Sequence, residues 1–114
     1  MDRLSAILEE FKGENDRDTF QRVYHSRSDS NAIAKYGKQA LADAEHYAFA
    51  RSYVKGNPWM LPSILLATTG YYTAKKLGLV KKDENTSEPS IDQLKAGILG
   101  AISGFRAAGG KPGL

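Results

Sequence analysis

Apolar residues along this chain recur with helical rather than strand spacing, in four separate blocks. Leu4, Ile7, Leu8 and Phe11 stand at i, i+3, i+4 and i+7, on one face of a short helix that starts near Asp2 and ends at Gly13. A helix this short is marginal alone, so its stripe must dock, either in the core or as an N-terminal arm on a neighbour. Residues 14–29 are polar, with Phe20, Val23 and Tyr24 sharing one side of a turn or two, and read as a linker carrying a short helix. Residues 31–55 form the strongest helical pattern. Ile33, Ala40, Leu41, Ala44, Tyr47, Ala48 and Val54 line its stripe, Ser30 serves as cap, and Gly56 before Asn57-Pro58 closes it.

Residues 57–78 are almost free of charge and contain no acid. Pro62 suits the first turn of a helix and Gly78 its end, so a helix is expected over residues 62–77. The short link before it predicts an antiparallel helix hairpin with 31–55, its base plugged by Trp59 and Met60. Lysines gather beyond, at Lys75, Lys76, Lys81 and Lys82, and acids follow at Asp83, Glu84, Glu88 and Asp92. This basic patch is either a helix end complementing its dipole or a binding feature.

Residues 81–89 read as a surface loop, and Ser90-Ile91-Asp92-Gln93 as a capping box opening a further helix. Ile91, Leu94, Ile98, Ala101, Ile102 and Phe105 form its apolar face, with Gly97, Gly100 and Gly104 among them. Each helical glycine costs about 1 kcal/mol relative to alanine, which implies compensation by close helix packing within or between subunits. Gly109, Gly110, Pro112 and Gly113 then end the helix in a tail. No segment alternates with period two, so the fold class is all-α: a small bundle built on the hairpin, with a third packing helix and the short N-terminal helix. The domain reading is an N-terminal helix at 1–13, a linker at 14–29, a helical core at 30–108 and a flexible tail at 109–114.

Composition narrows the function. With 114 residues the chain holds one domain, and with no cysteine it has neither disulfides nor thiolate chemistry. A formal charge of +3 is too small to indicate nucleic-acid recognition beyond non-specific contact. Asp43, Glu45 and His46 lie close in sequence, but the next helix offers no acid or histidine to complete a metal shell, so no metal and no cofactor is expected. His25 adjoins Ser26, yet neighbours on a helix do not face one another. Phosphate-binding and dinucleotide glycine motifs are absent. The N-terminus shows no secretory signal, and the run from Trp59 to Ala74 is too short and polar to span a bilayer stably. Interfacial contact through Trp59, Tyr71 and Tyr72 with Lys75 and Lys76 stays open.

The Asp43-Ala-Glu-His-Tyr47 segment, the Gly56-Asn-Pro-Trp-Met-Leu-Pro62 turn and the Gly70-Tyr-Tyr-Thr-Ala-Lys-Lys-Leu-Gly78 close together resemble, over residues 40–80, small helical proteins of the structural modules of tailed bacteriophages. These include internal virion and DNA-ejection proteins. The resemblance implies a non-enzymatic virion component, in the virion or host cytoplasm, that packs against its own copies or a larger protein partner. A membrane-active protein that inserts its apolar helices is the alternative. The interface expected from the residues comprises Leu4, Ile7, Leu8, Phe11, Trp59, Gly97, Gly100, Gly104 and Phe105.

Overall fold

Six α-helices and no strand make up the described residues of the computed structural model, which are 2–79 and 91–110. In chain order they are α1 (Arg3–Glu10), α2 (Asp16–Ser26), α3 (Ser30–Tyr36), α4 (Lys38–Gly56), α5 (Leu61–Lys76) and α6 (Ile91–Ala107). A 3-10 turn, Pro58–Met60, joins α4 to α5. The protein is a small all-α bundle.

Short polar side chains set the helix starts. Asp2 Oδ1 accepts from the Ser5 N–H at 2.8 Å, and Asn15 Oδ1 accepts from the Asp18 N–H at 2.8 Å. Asp18 reaches back to accept the N–H of Glu14, the residue before the cap, which ties the incoming chain to the first turn of α2. Glycines set two of the ends. Gly78 (φ 73°) and Gly109 (φ 89°) adopt left-handed conformations that let the following N–H groups turn back onto the last carbonyls of α5 and α6.

The helix expected over 31–55 is divided. Gly37 takes φ 89°, a conformation that side-chain-bearing residues avoid, and it separates α3 from α4. The cap of α3 is Asp29, whose carboxylate accepts the Asn31 N–H, rather than Ser30. Gly56 remains helical, and Asn57 ends α4. The break turns Tyr36 inward, where it packs with Ile7, Val23, Ala32, Leu41 and Ala44 in one core cluster.

Residues 14–29 are not a loose linker: α2 packs along α4, with Val23 fully buried. Nor is α1 an arm for a neighbour. Ile7 is fully buried, and Leu4, Leu8 and Phe11 pack on the same cluster. The second cluster joins Ala50 and Val54 of α4 to Leu61 and Ala101, flanked by Ile64, Leu65, Ile102 and Phe105. Only α4 contributes to both. Its alanines 42, 44, 48 and 50 are all buried, so this helix is covered on more than one side.

The principal partner of α4 is α6 rather than α5. A Cβ at Gly100 would run into the Tyr47 carbonyl oxygen, and one at Gly104 into the Arg51 carbonyl oxygen. The paired glycines therefore seat the two helices backbone against backbone. Gly97 differs, since a Cβ there would meet His46 at an ordinary 3.5 Å. Arg51 secures the same junction, bonding Asp16 of α2 at 3.0 Å and the Ser103 hydroxyl of α6. Lys55 adds a second contact to Asp16 at 2.8 Å. Burial raises the pKa of the Asp16 carboxyl, but the bonds from Lys55 and Arg51 outweigh it and hold the group below its ordinary value. Its contribution to stability is present at neutral pH and lost as pH falls through that lowered value.

The expected antiparallel pairing of α4 with α5 does not form as a packed hairpin. The chain does reverse between them, but α5 rests on α6 and the 3-10 turn and meets α4 only marginally. The surface loop and capping serine expected at 81–90, and Pro112 and Gly113 of the tail, lie outside the described residues.

Replacing Gly100 or Gly104 by alanine is expected to lower stability to urea unfolding by about 1–3 kcal/mol, because backbone cannot yield to the added carbon. Gly97→Ala is expected to be neutral or stabilising by up to about 1 kcal/mol, since it gains helix propensity without a clash.

Candidate interaction surface

The element that stands apart is α5. It is apolar over most of its length and carries no acidic side chain, yet Leu61 is its one buried residue. Trp59 is 70% exposed, Leu66 78%, Leu77 69% and Leu79 74%. Trp59 thus points to solvent instead of plugging the hairpin base. Ile64 and Leu65 are the side chains that hold α5 on the second core cluster. The opposite side of the helix, including Leu66, Gly70 and Thr73, is bare.

Between α4 and α5 runs a groove of about 300 Å³. Phe49, Tyr53 and His46 form one wall, Met60, Ile64 and Thr68 the other, and Leu94 and Gly97 of α6 the floor. Phe49 packs on Phe20 of α2 with ring centres 5.4 Å apart and stacks on Tyr53 at 6.0 Å. Phe20 in turn meets Tyr24 at 6.2 Å. Tyr24, Phe49 and Tyr53 remain largely exposed, so an aromatic ladder leads from α2 across α4 to the groove. Exposed aromatic and leucine side chains in one region mark a protein or membrane contact far more often than isolated ones do.

The residues expected at an interface divide into two groups. Ile7 with Leu4, Leu8 and Phe11, Gly100 with Gly104, and Phe105 are all used inside the molecule. Trp59 alone of that set lies on the exposed surface, while Gly97 lines the groove. Of the basic patch, Lys75 and Lys76 occupy the last turn of α5, where the helix dipole favours cations. The Lys76 ammonium also lies 5.2 Å from the centre of the Tyr72 ring. Lys81 and Lys82 fall outside the described residues. Leu66, Phe49, Tyr53 and Tyr24 belong to the surface and were not expected there. Phe49 and Tyr53, four apart and off the predicted stripe of α4, were the available signal.

The polar candidates are engaged in local structure. The Ser26 hydroxyl is buried and donates to the Val23 carbonyl at 2.6 Å, while His25 stands edge-on to the Tyr24 ring. Asp43 accepts from Gln39 at 2.8 Å, and His46 Nδ1 lies 3.5 Å from a Glu45 oxygen that also faces Arg27. Among the described residues no three His, Cys, Asp or Glu side chains are grouped to hold a metal ion. Also among them, no helix is long and apolar enough to cross a membrane. No protein-family model, curated protein or solved structure matches this chain.

Burial pushes the Asp43 carboxyl above its ordinary pKa, and the Asp92 carboxylate nearby adds to the shift against the opposing Gln39 hydrogen bond and His46. A raised folded-state value means that the stability linked to this group is complete below the ordinary carboxylate range and declines as pH rises through the raised value. Asp43→Asn keeps an oxygen for Gln39 and removes the charge. It is expected to raise the thermal midpoint at pH 7, with the gain vanishing in melts below the carboxylate range.

Proposed function

We propose that this protein works by association rather than catalysis: a helical scaffold that holds the apolar helix α5 and its preceding turn outward for packing against other protein. One observation carries the reading. Leu66 on α5, and Trp59, Leu77 and Leu79 just beyond its two ends, are left largely exposed, and the helix itself contributes a single buried residue to its own fold. Exposed apolar surface of this kind is hidden most readily by a copy of the same chain or a larger partner. The resemblance of residues 40–80 to small helical proteins of tailed-phage structural modules supports assigning it a role as a virion or DNA-ejection component. Such a component resides in the virion, or in the host cytoplasm before assembly.

Light scattering over a concentration series tests the reading. The wild-type chain is expected to show the mass of two or more copies, with its only tryptophan, Trp59, growing less accessible to a soluble quencher as concentration rises. Leu66→Asp, which places a charge on exposed surface and disturbs no buried contact, is expected to retain its helicity and weaken association at least tenfold. A single-chain mass at every concentration, with Trp59 equally quenched throughout, would overturn it.

A further inference from the structure

Resting on that reading, we propose that the outward face of α5 is a two-fold dimer contact, on which a second copy of this chain lays its own α5 antiparallel, crossing at Gly70. Leu66, Gly70, Thr73 and Leu77 follow one another at i, i+4, i+7 and i+11, and all four are exposed. This spacing keeps them on one side of the helix, as a seam for a partner helix requires.

No contact among the described residues requires glycine at position 70. It lies inside the helix without a positive φ, and among the described residues nothing stands within 4 Å of where a Cβ would be. Its helix-propensity penalty against alanine is therefore not offset by any close packing among the described residues. Gly100 and Gly104, unlike Gly56 and Gly97, each admit the backbone of another helix. An equivalent approach at Gly70 is open to a helix from outside.

The remaining observations choose the occupant. Gly70 lies near the middle of α5, so a two-fold axis there overlaps the two helices along most of their length, ~24 Å for 16 residues. The exposed parts of Leu66 and Leu77 on the seam, with those of Trp59 and Leu79 beyond the two ends of α5, offer roughly 500 Å² of the ~800 Å² that a stable contact takes from each partner. The neighbouring small side chains Ala67, Thr69 and Thr73 extend that area. Charge sets the direction. A parallel pair would bring two copies of Lys75 and Lys76 together with no acid on either helix, whereas an antiparallel pair sends them to opposite ends and opposes the helix dipoles.

The chain has no cysteine, so Gly70→Cys introduces a single thiol. Close helix crossing at this position brings the two Cα atoms into the ~4.4–6.8 Å range that a disulfide spans. Mild oxidation is expected to convert most of the protein to a covalent dimer, while a control cysteine at Ser28, on the exposed turn after α2, gives little. Gly70→Trp blocks the approach without touching the core. It is expected to raise the dimer dissociation constant at least tenfold while circular dichroism keeps or gains helicity. A dimer that persists in Gly70→Trp, or a Gly70→Cys protein that fails to cross-link as a dimer, overturns this contact and leaves association through another surface standing. A wild-type chain that stays single and floats with phospholipid vesicles overturns both the contact and the association reading.

Discussion

Backbone contact between α4 and α6 governs the arrangement of everything else. At Gly100 and Gly104 no side chain separates the helices, and the carbonyls of Tyr47 and Arg51 occupy the space where Cβ atoms would be. Dispersion and burial along that seam are what offset the poor helix propensity of two interior glycines. Because α6 takes one side of α4, the helices α1, α2 and α3 take the other. A helix covered from both directions has room for small side chains only, hence the run of buried alanines from Ala42 to Ala50. What remains for α5 is an edge of α6, enough to anchor Leu61, Ile64 and Leu65 and too little to cover the rest.

Charge reinforces this layout without creating it. Asp16 at the start of α2 receives both Arg51 and Lys55 of α4, and Arg51 continues to Ser103 of α6, so one guanidinium touches three helices. Bonds to a partly buried carboxylate of this kind are stronger than the exposed pairs Arg22–Asp18 and Lys35–Glu10, which water and salt screen. The Asp43 carboxyl works in the opposite sense, being held in partial burial with Asp92 across from it.

Much of the fold was legible in the sequence. Helical periodicity identified α1, α5 and α6 within a residue or two of their ends where these are described, and the glycines of α6 announced close packing. The division at Gly37 was not legible, because Ile33 and Tyr36 continue an apolar pattern across it and one glycine inside a helix is common enough. The short helix expected within the linker at 14–29 is α2, but its docking was not legible, because it buries only Val23 and Ser26 and its composition is polar. The pairing of α4 with α5 was inferred from a short connection, and connection length speaks to chain reversal rather than to which faces touch. For the candidate surface, the unusual character of residues 57–78 was visible from composition, whereas exposure was not. Apolar residues at Trp59 and Leu66 look the same on paper whether they are covered or bare.

The presence of two core clusters that meet only along α4 carries a further implication. Ile7, Val23, Tyr36 and Leu41 hold one half of the molecule, and Val54, Leu61 and Ala101 the other. Loss of the anchors Leu61, Ile64 and Leu65 would free α5 while α1, α2 and α3 kept their grip on the first half of α4. Opening of the α5 end would therefore leave the other end folded as a unit of its own.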